Sequence, residues 1–303
     1  MSAIELDNIT KSFGEHIAVN ALSLSVPGKS VYGFIGPNGS GKTTTLRMIM
    51  NILIPDSGDI KVLGGHLKSS SSDHIGYMPE ERGLYKRMKV RELLQLFGGL
   101  KNGKNINQKV DEWLERLDLT DWADKKIETL SKGMSQKVQF IMTVVAQPKL
   151  VILDEPFTGL DPVNTEVIKD AVLELQKQGT TIVFSTHDMS MAEKMCDFIF
   201  MIYQGKKVLD GTLESIQDEY GKDTIRLQTT NGADILKNLP GVESVNDYGQ
   251  IQELRIKQNS DTNLILENLI KKTRVQKFEI VKPSLHDIFI RIASPEEKEA
   301  NHA

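Results

Sequence analysis

Apolar and polar residues follow two strand-like patterns in the first part of the chain. At 4–10 and 21–26 they alternate, which is typical of strands with one buried face. The runs 31–35, 150–153 and 180–184 are short and largely apolar, as expected of strands buried on both faces of a parallel sheet. Together these patterns predict an α/β domain.

A helical pattern interrupts these strands. Apolar residues, among them Leu93, Leu94 and Phe97, recur at helical spacing from 90 to 145. We therefore expect an all-helical subdomain at about 84–145, inserted into the α/β domain. The shorter elements predicted around it are helices at 44–54 and 165–178, strands at 59–63 and from 75, and a loop at 69–72.

The pattern changes again beyond Gly211. The predicted order there is strand 224–230, helix 235–239, strand 242–247, strand 252–257, helix 264–271 and strand 275–281. This order predicts a small ferredoxin-like α+β domain over 216–293, closed by a helix at 283–292. No residue in it suggests chemistry. The polar segment 294–303 is predicted to be a frayed tail, and the first domain to span 1–215.

Composition excludes several classes of protein. The chain of 303 residues has 37 Lys and Arg against 41 Asp and Glu, a net charge of -4, so no overall positive field draws it to nucleic acid. Cys196 is its single cysteine, which excludes an internal disulfide and fits a reducing compartment. The N-terminus lacks the features of a secretory signal, and no apolar run reaches the roughly 18 residues of a membrane span. We expect a cytoplasmic protein.

A glycine-rich stretch stands between the strand at 31–35 and the following helix. Glycines let backbone N–H groups converge on a polyphosphate, and the helix N-terminus adds partial positive charge. Lys42 is predicted to reach the β- and γ-phosphates, and the Thr43 hydroxyl to bind Mg²⁺. The predicted nucleotide-binding residues here are Gly36, Pro37, Asn38, Gly39, Ser40, Gly41, Lys42, Thr43 and Thr44.

Polar residues follow two of the predicted buried strands. Asp154 and Glu155 end one of them, where Asp154 is predicted to hold Mg²⁺ and Glu155 to polarise an attacking water. His187 follows the next strand and is placed to contact a γ-phosphate or water, although a lone histidine is more often structural. Phe13 is a candidate for stacking on adenine, and closing a small core is equally compatible with its position.

Taken in order, these segments resemble the nucleotide-binding subunit of an ABC transporter over about residues 4–215. The glycine-rich stretch is similar to Walker A, 150–155 to Walker B, 159–161 to the D-loop, His187 to the switch histidine and Phe13 to the A-loop aromatic residue. The usual Leu-Ser-Gly-Gly-Gln signature is Leu130-Ser131-Lys132-Gly133-Met134 here, and Glu80 replaces the Q-loop glutamine. Both variants are similar to the ABC-2-type exporter branch, which includes sodium and drug efflux ATPases and carries an accessory C-terminal domain.

The resemblance implies ATP and Mg²⁺ as ligands, with Glu80 joining Thr43 and Asp154 near the metal. It implies a head-to-tail pair of subunits, either a homodimer or a pair with a close paralogue, in which Ser131, Gly133 and Asp161 contact the opposing ATP. It also implies separate multi-span permease subunits and a peripheral position on the cytoplasmic face of the cell membrane.

Other classes of protein are alternatives to an ABC transporter subunit. A small-molecule kinase would use the phosphate loop, but it has no role for the signature or the D-loop. Soluble ABC ATPases of translation or DNA repair usually carry two cassettes or a long coiled coil. An ABC ATPase that acts as a regulatory switch through its C-terminal domain is the remaining alternative.

Overall fold

The computed structural model describes residues 2–66, 73–81, 83–101, 105–221, 224–229, 236, 239–257 and 260–293. The predicted loop at 69–72, most of the predicted helix at 235–239 and the predicted tail lie outside these residues. The chain divides into two compact units, 1–213 and 214–303. The domain boundary after residue 215 stays a prediction.

The described elements of the first unit are, in chain order, β1 (Ser2–Phe13), β2 (His16–Pro27), β3 (Val31–Ile35), α1 (Lys42–Ile49), β4 (Ser57–Val62), β5 (Ile75–Met78), α2 (Val90–Leu100), α3 (Ile106–Arg116), α4 (Lys132–Val144), β6 (Leu150–Asp154), α5 (Pro162–Lys177), β7 (Thr181–Thr186), α6 (Met189–Met195), β8 (Phe198–Tyr203) and β9 (Lys206–Gly211). Two 3-10 turns, Thr120–Trp122 and Ile127–Thr129, lie between α3 and α4.

Strands β2, β1 and β4 form an antiparallel sheet in that order. The β1–β2 hairpin is longer than the predicted strands at 4–10 and 21–26. Its register shifts between Leu6 and Ile9, and the backbone at Asn8 and Ala21 has positive φ values of 49° and 46°. Such irregularities interrupt the alternation of apolar and polar residues, so the pattern shows only part of each strand.

The second sheet has the order β5-β6-β7-β3-β8-β9. The pairs among its first five strands are parallel, and β9 joins antiparallel to β8. Strand β3, early in the chain, lies between the late strands β7 and β8. The carboxyl ends of β6, β7 and β3 are therefore neighbours at one edge of the sheet, which is where ligands bind in open α/β sheets.

Apolar residues on the two faces of this sheet belong to two separate cores. Val151 and Leu153 of β6 pack in the core that includes buried residues of α2, α3, α4 and α5, whereas Leu150 and Ile152 pack in the core that includes α1 and the β1–β2 hairpin. A strand buried on both faces needs apolar side chains at successive positions. This explains why β6 reads as a continuous apolar run.

The helical prediction for 90–145 is confirmed over the described residues, which form α2, α3, α4 and the two 3-10 turns. The helix predicted at 44–54 differs, since α1 begins two residues earlier and ends at Ile49. Asn51, with a φ of 54°, is in the left-handed region that a right-handed helix excludes. No helix among the residues that the structure describes is long and apolar enough to cross a membrane.

The second unit contains a four-stranded antiparallel sheet in the order β11-β12-β10-β13 and has the following described elements: α7 (Leu213–Glu219), which begins at the division between the units, then β10 (Thr224–Thr229), β11 (Val242–Asp247), β12 (Gln252–Ile256), α8 (Thr262–Lys272), β13 (Val275–Val281) and α9 (Leu285–Ala293). Its core includes Ile225, Leu227 and Leu254 of the sheet with Ile265 and Leu269 of α8. The strand order and pairing agree with the predicted ferredoxin-like arrangement.

Candidate nucleotide-binding site

The loop between β3 and α1 has room only for glycine at two positions. A Cβ atom at Gly36 would lie 2.3 Å from the Ile202 carbonyl oxygen, and one at Gly41 would lie 2.5 Å from that of Ala18. Gly41 also has a φ of 110° and caps the N-terminus of α1. The loop therefore passes close to β8 and β2 at the N-terminus of α1, an arrangement that suits an anion.

Lys42 is buried within this loop. Its ammonium donates hydrogen bonds to the carbonyl oxygens of Gly36 at 2.7 Å and Pro37 at 3.1 Å, and it lies 3.9 Å from a carboxylate oxygen of Glu155. Burial lowers the pKa of Lys42, and the nearby carboxylates of Glu155, Asp154 and Glu80 oppose that shift. The site therefore concentrates one cation and three carboxylates around the loop.

Asp154 is 1% exposed at the end of β6. Its Oδ1 accepts hydrogen bonds from Ser185 and, at 3.3 Å, from Thr43. Its Oδ2 is buried and has no hydrogen-bond partner among the described residues. Burial raises the pKa of this carboxyl, although the bonds from Ser185 and Thr43 oppose the shift. An unpartnered buried carboxylate oxygen is expensive unless a cation or donor completes it.

These oxygens fit Mg²⁺. The Thr43 hydroxyl and the Asp154 carboxylate meet at one point, and Mg²⁺ usually takes one or two protein carboxylates, with phosphate and water oxygens completing its shell. Consistently, no group of three or more His, Cys, Asp or Glu residues that could hold a metal occurs among the described residues. Thr43 and Asp154 would thus supply only part of a metal shell, which substrate oxygens would complete.

Glu155 leaves the strand in an unusual conformation. Its φ of 50° lies in the left-handed region, and its N–H donates to the Ser185 hydroxyl at 3.0 Å. The side chain is almost buried, where Oε2 accepts from Thr158 and both carboxylate oxygens lie 3.1 Å from Nδ1 of His187. Strained backbone of this kind persists where the surroundings enforce it, which is common at functional sites. The predicted pair Glu155 and His187 is thus in direct contact.

A cavity of about 350 Å³ opens beside the loop. The predicted residues that line it are Phe13, Asn38, Gly39, Gly41, Lys42, Thr43, Thr44, Glu80 and Glu155. Phe13 is 51% exposed, so its ring is available at the cavity rather than closing a core. Four other predicted residues do not line the cavity, namely Gly36, Pro37, Ser40 and Asp154.

Two lining residues, His16 and Ala18, were not predicted. Both lie on β2, and His16 pairs directly with Phe13 across the hairpin. Residues two apart on a strand face the same side, so His16 and Ala18 face the same way on β2. The sequence signal that could have identified them is the turn after Phe13, which brings His16 opposite Phe13. Ser185 was also missed, because its position next to Asp154 depends on the register between β6 and β7.

The signature and D-loop residues lie elsewhere. Ser131, Gly133 and Asp161 are not among the residues that line the cavity. Ser131 caps α4 by accepting from the Met134 N–H, and Asp161 caps α5 by accepting from the Asn164 N–H. A Cβ atom at Gly133 would lie 3.4 Å from the Asn164 side chain, so the two helix N-termini are adjacent. The predicted residues thus form a second group, in which Ser131 and Asp161 are exposed and Gly133 is half-buried.

Comparison with known proteins identifies both parts of the chain. The profile of the ABC transporter family matches residues 19–158, and that of the C-terminal domain of the DrrA1-3-like ATP-binding proteins matches 211–293. A third profile, an AAA domain described as a putative AbiEii toxin of a type IV toxin–antitoxin system, matches 126–192.

Individual proteins are similar over nearly the whole chain. An uncharacterized ABC transporter ATP-binding protein of Bacillus subtilis is 41% identical over 95% of this chain and 97% of its own length. The Nod factor export ATP-binding protein I of a Rhizobium species is 32% identical over 97% of this chain and 98% of its own. A solved structure of an ATP-binding subunit of an ABC transporter has a TM-score of 0.68 and 27% identity, covering 73% of this chain and 94% of that one.

Proposed function

Because this chain belongs to the ATP-binding subunits of ABC transporters, we propose that it hydrolyses ATP to power export through separate membrane-spanning permease subunits. The observation that carries the proposal is the convergence of Lys42, Asp154 and Glu155 at the edge of the sheet, next to a loop built for an anion. The likeness to a Nod factor export ATP-binding protein supports export over a soluble regulatory role.

Each residue at this edge has a distinct role in the proposed reaction. Lys42 exchanges the loop carbonyls for the β- and γ-phosphates of ATP, while the backbone N–H groups of residues 38–44 surround the phosphates. Phe13 stacks on the adenine ring. Thr43 and Asp154, with Glu80 nearby, hold Mg²⁺, which neutralises charge on the phosphates when bound.

Glu155 acts on the attacking water. Its carboxylate is fixed by Thr158 and His187, so it can accept a proton from water without first reorganising. His187, exposed on its other side, is placed to orient the γ-phosphate or the water. The strained backbone at Glu155 aims this carboxylate along the edge of the sheet toward Lys42.

A second ATPase subunit completes the proposed site. Ser131 and Asp161 are exposed, Gly133 is half-buried, and all three lie outside the cavity of their own chain, so their predicted nucleotide contacts require another subunit. Either a second copy of this chain or a close paralogue would present them. The assembly would bind its permease at the cytoplasmic face of the membrane.

Lys42→Ala tests the proposal. The variant should lose ATP binding and turnover, because the loop loses its only full positive charge at the phosphates. ATP affinity and ATP hydrolysis should be measured for the purified full-length chain and for the chain assembled with its permease. The matched control is Lys61→Ala, which removes an exposed lysine on β4, away from the cavity, and should leave both quantities unchanged. Near-normal affinity and turnover in Lys42→Ala would overturn the assignment.

A further inference from the structure

Helix α4 is capped by the signature residue Ser131 and carries a buried glutamine about two turns later. Gln139 is 1% exposed. Its Nε2 donates a hydrogen bond of 2.8 Å to the carbonyl oxygen of Pro79 and lies 3.5 Å from that of Glu81. These two carbonyl groups flank Glu80 in the chain. A single amide from α4 therefore holds the backbone on both sides of Glu80.

The position of Gln139 is an unusual one for a polar side chain. Its neighbours in the helix, Val138 and Phe140, are fully buried apolar residues. A buried amide destabilises a fold unless its hydrogen bonds are made, and an apolar side chain of similar size packs there without that requirement. The Oε1 of Gln139 has no hydrogen-bond partner among the described residues. Packing alone thus gives no reason for an amide, whereas the bond to the Pro79 carbonyl does.

Glu80 connects the Gln139–Pro79 hydrogen bond to the candidate nucleotide site. It lines the cavity, and its charge acts on the Lys42 ammonium. We propose that Gln139 is a positioning residue that holds Glu80 in place for the metal bound with ATP and links Glu80 to the signature helix. This inference rests on the proposed function, because it concerns a residue at the same nucleotide site.

The helix provides a mechanical path between two sites. Eight residues separate Ser131 from Gln139, or about 12 Å along a rigid helix. One turn before Gln139, Gln136 donates at 3.0 Å to the carbonyl oxygen of Pro156, directly after Glu155. A shift of α4 when Ser131 meets the nucleotide of an opposing subunit therefore moves the backbone next to Glu80 and next to Glu155 together.

The test compares Gln139→Met and Glu80→Ala, singly and combined, in the purified full-length chain. Manganese is the spectroscopic probe, because paramagnetic resonance reports its affinity for the complex with a non-hydrolysable ATP analogue. Gln139→Met should weaken that affinity about fivefold, the size of one lost hydrogen bond. It should raise the Mg²⁺ concentration for half-maximal turnover by a similar factor. Affinity for the analogue in EDTA should not change.

The double variant decides between positioning and general destabilisation. If Gln139 acts through Glu80, adding Gln139→Met to Glu80→Ala, which has no side-chain oxygen, should change manganese affinity by less than about twofold, because interacting residues are not additive. Equal effects of Gln139→Met in both backgrounds, or unchanged manganese affinity in the single variant, would overturn the inference. If Gln139→Met does not fold, Gln139→Asn shortens the same amide by one methylene and gives the same comparison.

Thr143→Val is the matched control. The Thr143 hydroxyl donates to the Gln139 backbone carbonyl within α4, so its removal leaves the Gln139 side-chain amide in place. This variant should lower thermal stability without changing manganese affinity, and a change equal to that of Gln139→Met would also overturn the inference. Lys42→Ala is measured in parallel. If Lys42→Ala abolishes nucleotide binding while the Gln139 effects are additive, only the role of Gln139 is wrong.

Discussion

The two units of the chain treat their charged side chains differently. In the ATP site, Lys42 and Glu155 face each other with side-chain exposures of only 6% and 8%. In the second unit, the Lys277–Glu279 pair keeps about half of each side chain in water, and the more buried Glu253 accepts two hydrogen bonds from Arg226. Exposed pairs contribute little to stability, whereas buried charges are costly unless they are fully paired.

This difference favours the candidate nucleotide site, and not the second unit, as the place of the proposed chemistry. Burying Asp154, Glu155 and Lys42 is costly, above all for the unpartnered Oδ2 of Asp154, and the phosphates and metal of the proposed ligand would complete their interactions. In the second unit, the Lys277–Glu279 pair is exposed and Glu253 is already paired with Arg226, so neither pair needs a ligand to complete it. We therefore expect the second unit to act through contacts in the assembled transporter.

The test with the largest expected effect removes the proposed base, Glu155. Glu155→Gln keeps the shape of the side chain but not the carboxylate, so hydrolysis should fall by at least about 10²-fold while ATP binding survives. With ATP and Mg²⁺ the variant should accumulate as a dimer. Turnover is measured by phosphate release and assembly by size-exclusion chromatography.

Glu174→Gln serves as its control, because Glu174 pairs with Arg116 on the outside of α5. That variant should hydrolyse ATP like the wild type. A Glu155→Gln variant that hydrolyses normally and stays monomeric with ATP would show that Glu155 is not the base.

The next test removes the second unit. Truncation after residue 215 should leave ATP affinity within about twofold, because the residues proposed to contact phosphate and Mg²⁺ all precede that position. The dimer dissociation rate or permease-coupled turnover should change several-fold, since an appended domain affects association only through contacts it makes in the paired state. Circular dichroism first establishes that the shortened chain is folded. A folded truncation that has lost ATP affinity would contradict the proposal that the second unit contributes nothing to the nucleotide site.

The smallest expected effect concerns stability. Asp154→Asn removes a buried charge with an unpartnered oxygen, so the metal-free protein should gain on the order of 1 kcal/mol in free energy of unfolding while losing turnover. Thermal unfolding in EDTA measures the gain, and phosphate release measures the loss. A core variant such as Leu227→Ala should instead lose about 2–5 kcal/mol from the second unit and keep ATP turnover.

The sign of the pH dependence sharpens this prediction. Because burial raises the pKa of Asp154, the folded protein binds that proton more tightly than the unfolded chain. The wild type therefore loses stability as the pH rises through the raised pKa, and Asp154→Asn removes that loss. The advantage of the variant should shrink as the pH falls below this range. An advantage that does not vary with pH would show that the Asp154 charge is not its cause.

The motifs along the chain already predicted much of the site. The glycine spacing before Lys42 and the carboxylates after an apolar run each reflect a local requirement, of backbone freedom in one case and of a strand end in the other. Such requirements are visible in a few consecutive residues. The helix at 44–54 and the strands at 4–10 and 21–26 had inaccurate ends, since Asn51, Asn8 and Ala21 change the backbone direction without an obvious sequence signal.

By itself, the sequence determined the class of protein, the phosphate loop and the residue types available for catalysis, because local spacing and composition limit those features. Only the tertiary structure decided which side chains meet. Placing β3 between β7 and β8 brings the phosphate loop beside Asp154 and Ser185, which are distant in the chain. The contact of Gln139 with Pro79 likewise depends on how α4 packs against β5. These are non-local contacts, and their register follows from the packing of whole elements, which no short stretch of sequence contains.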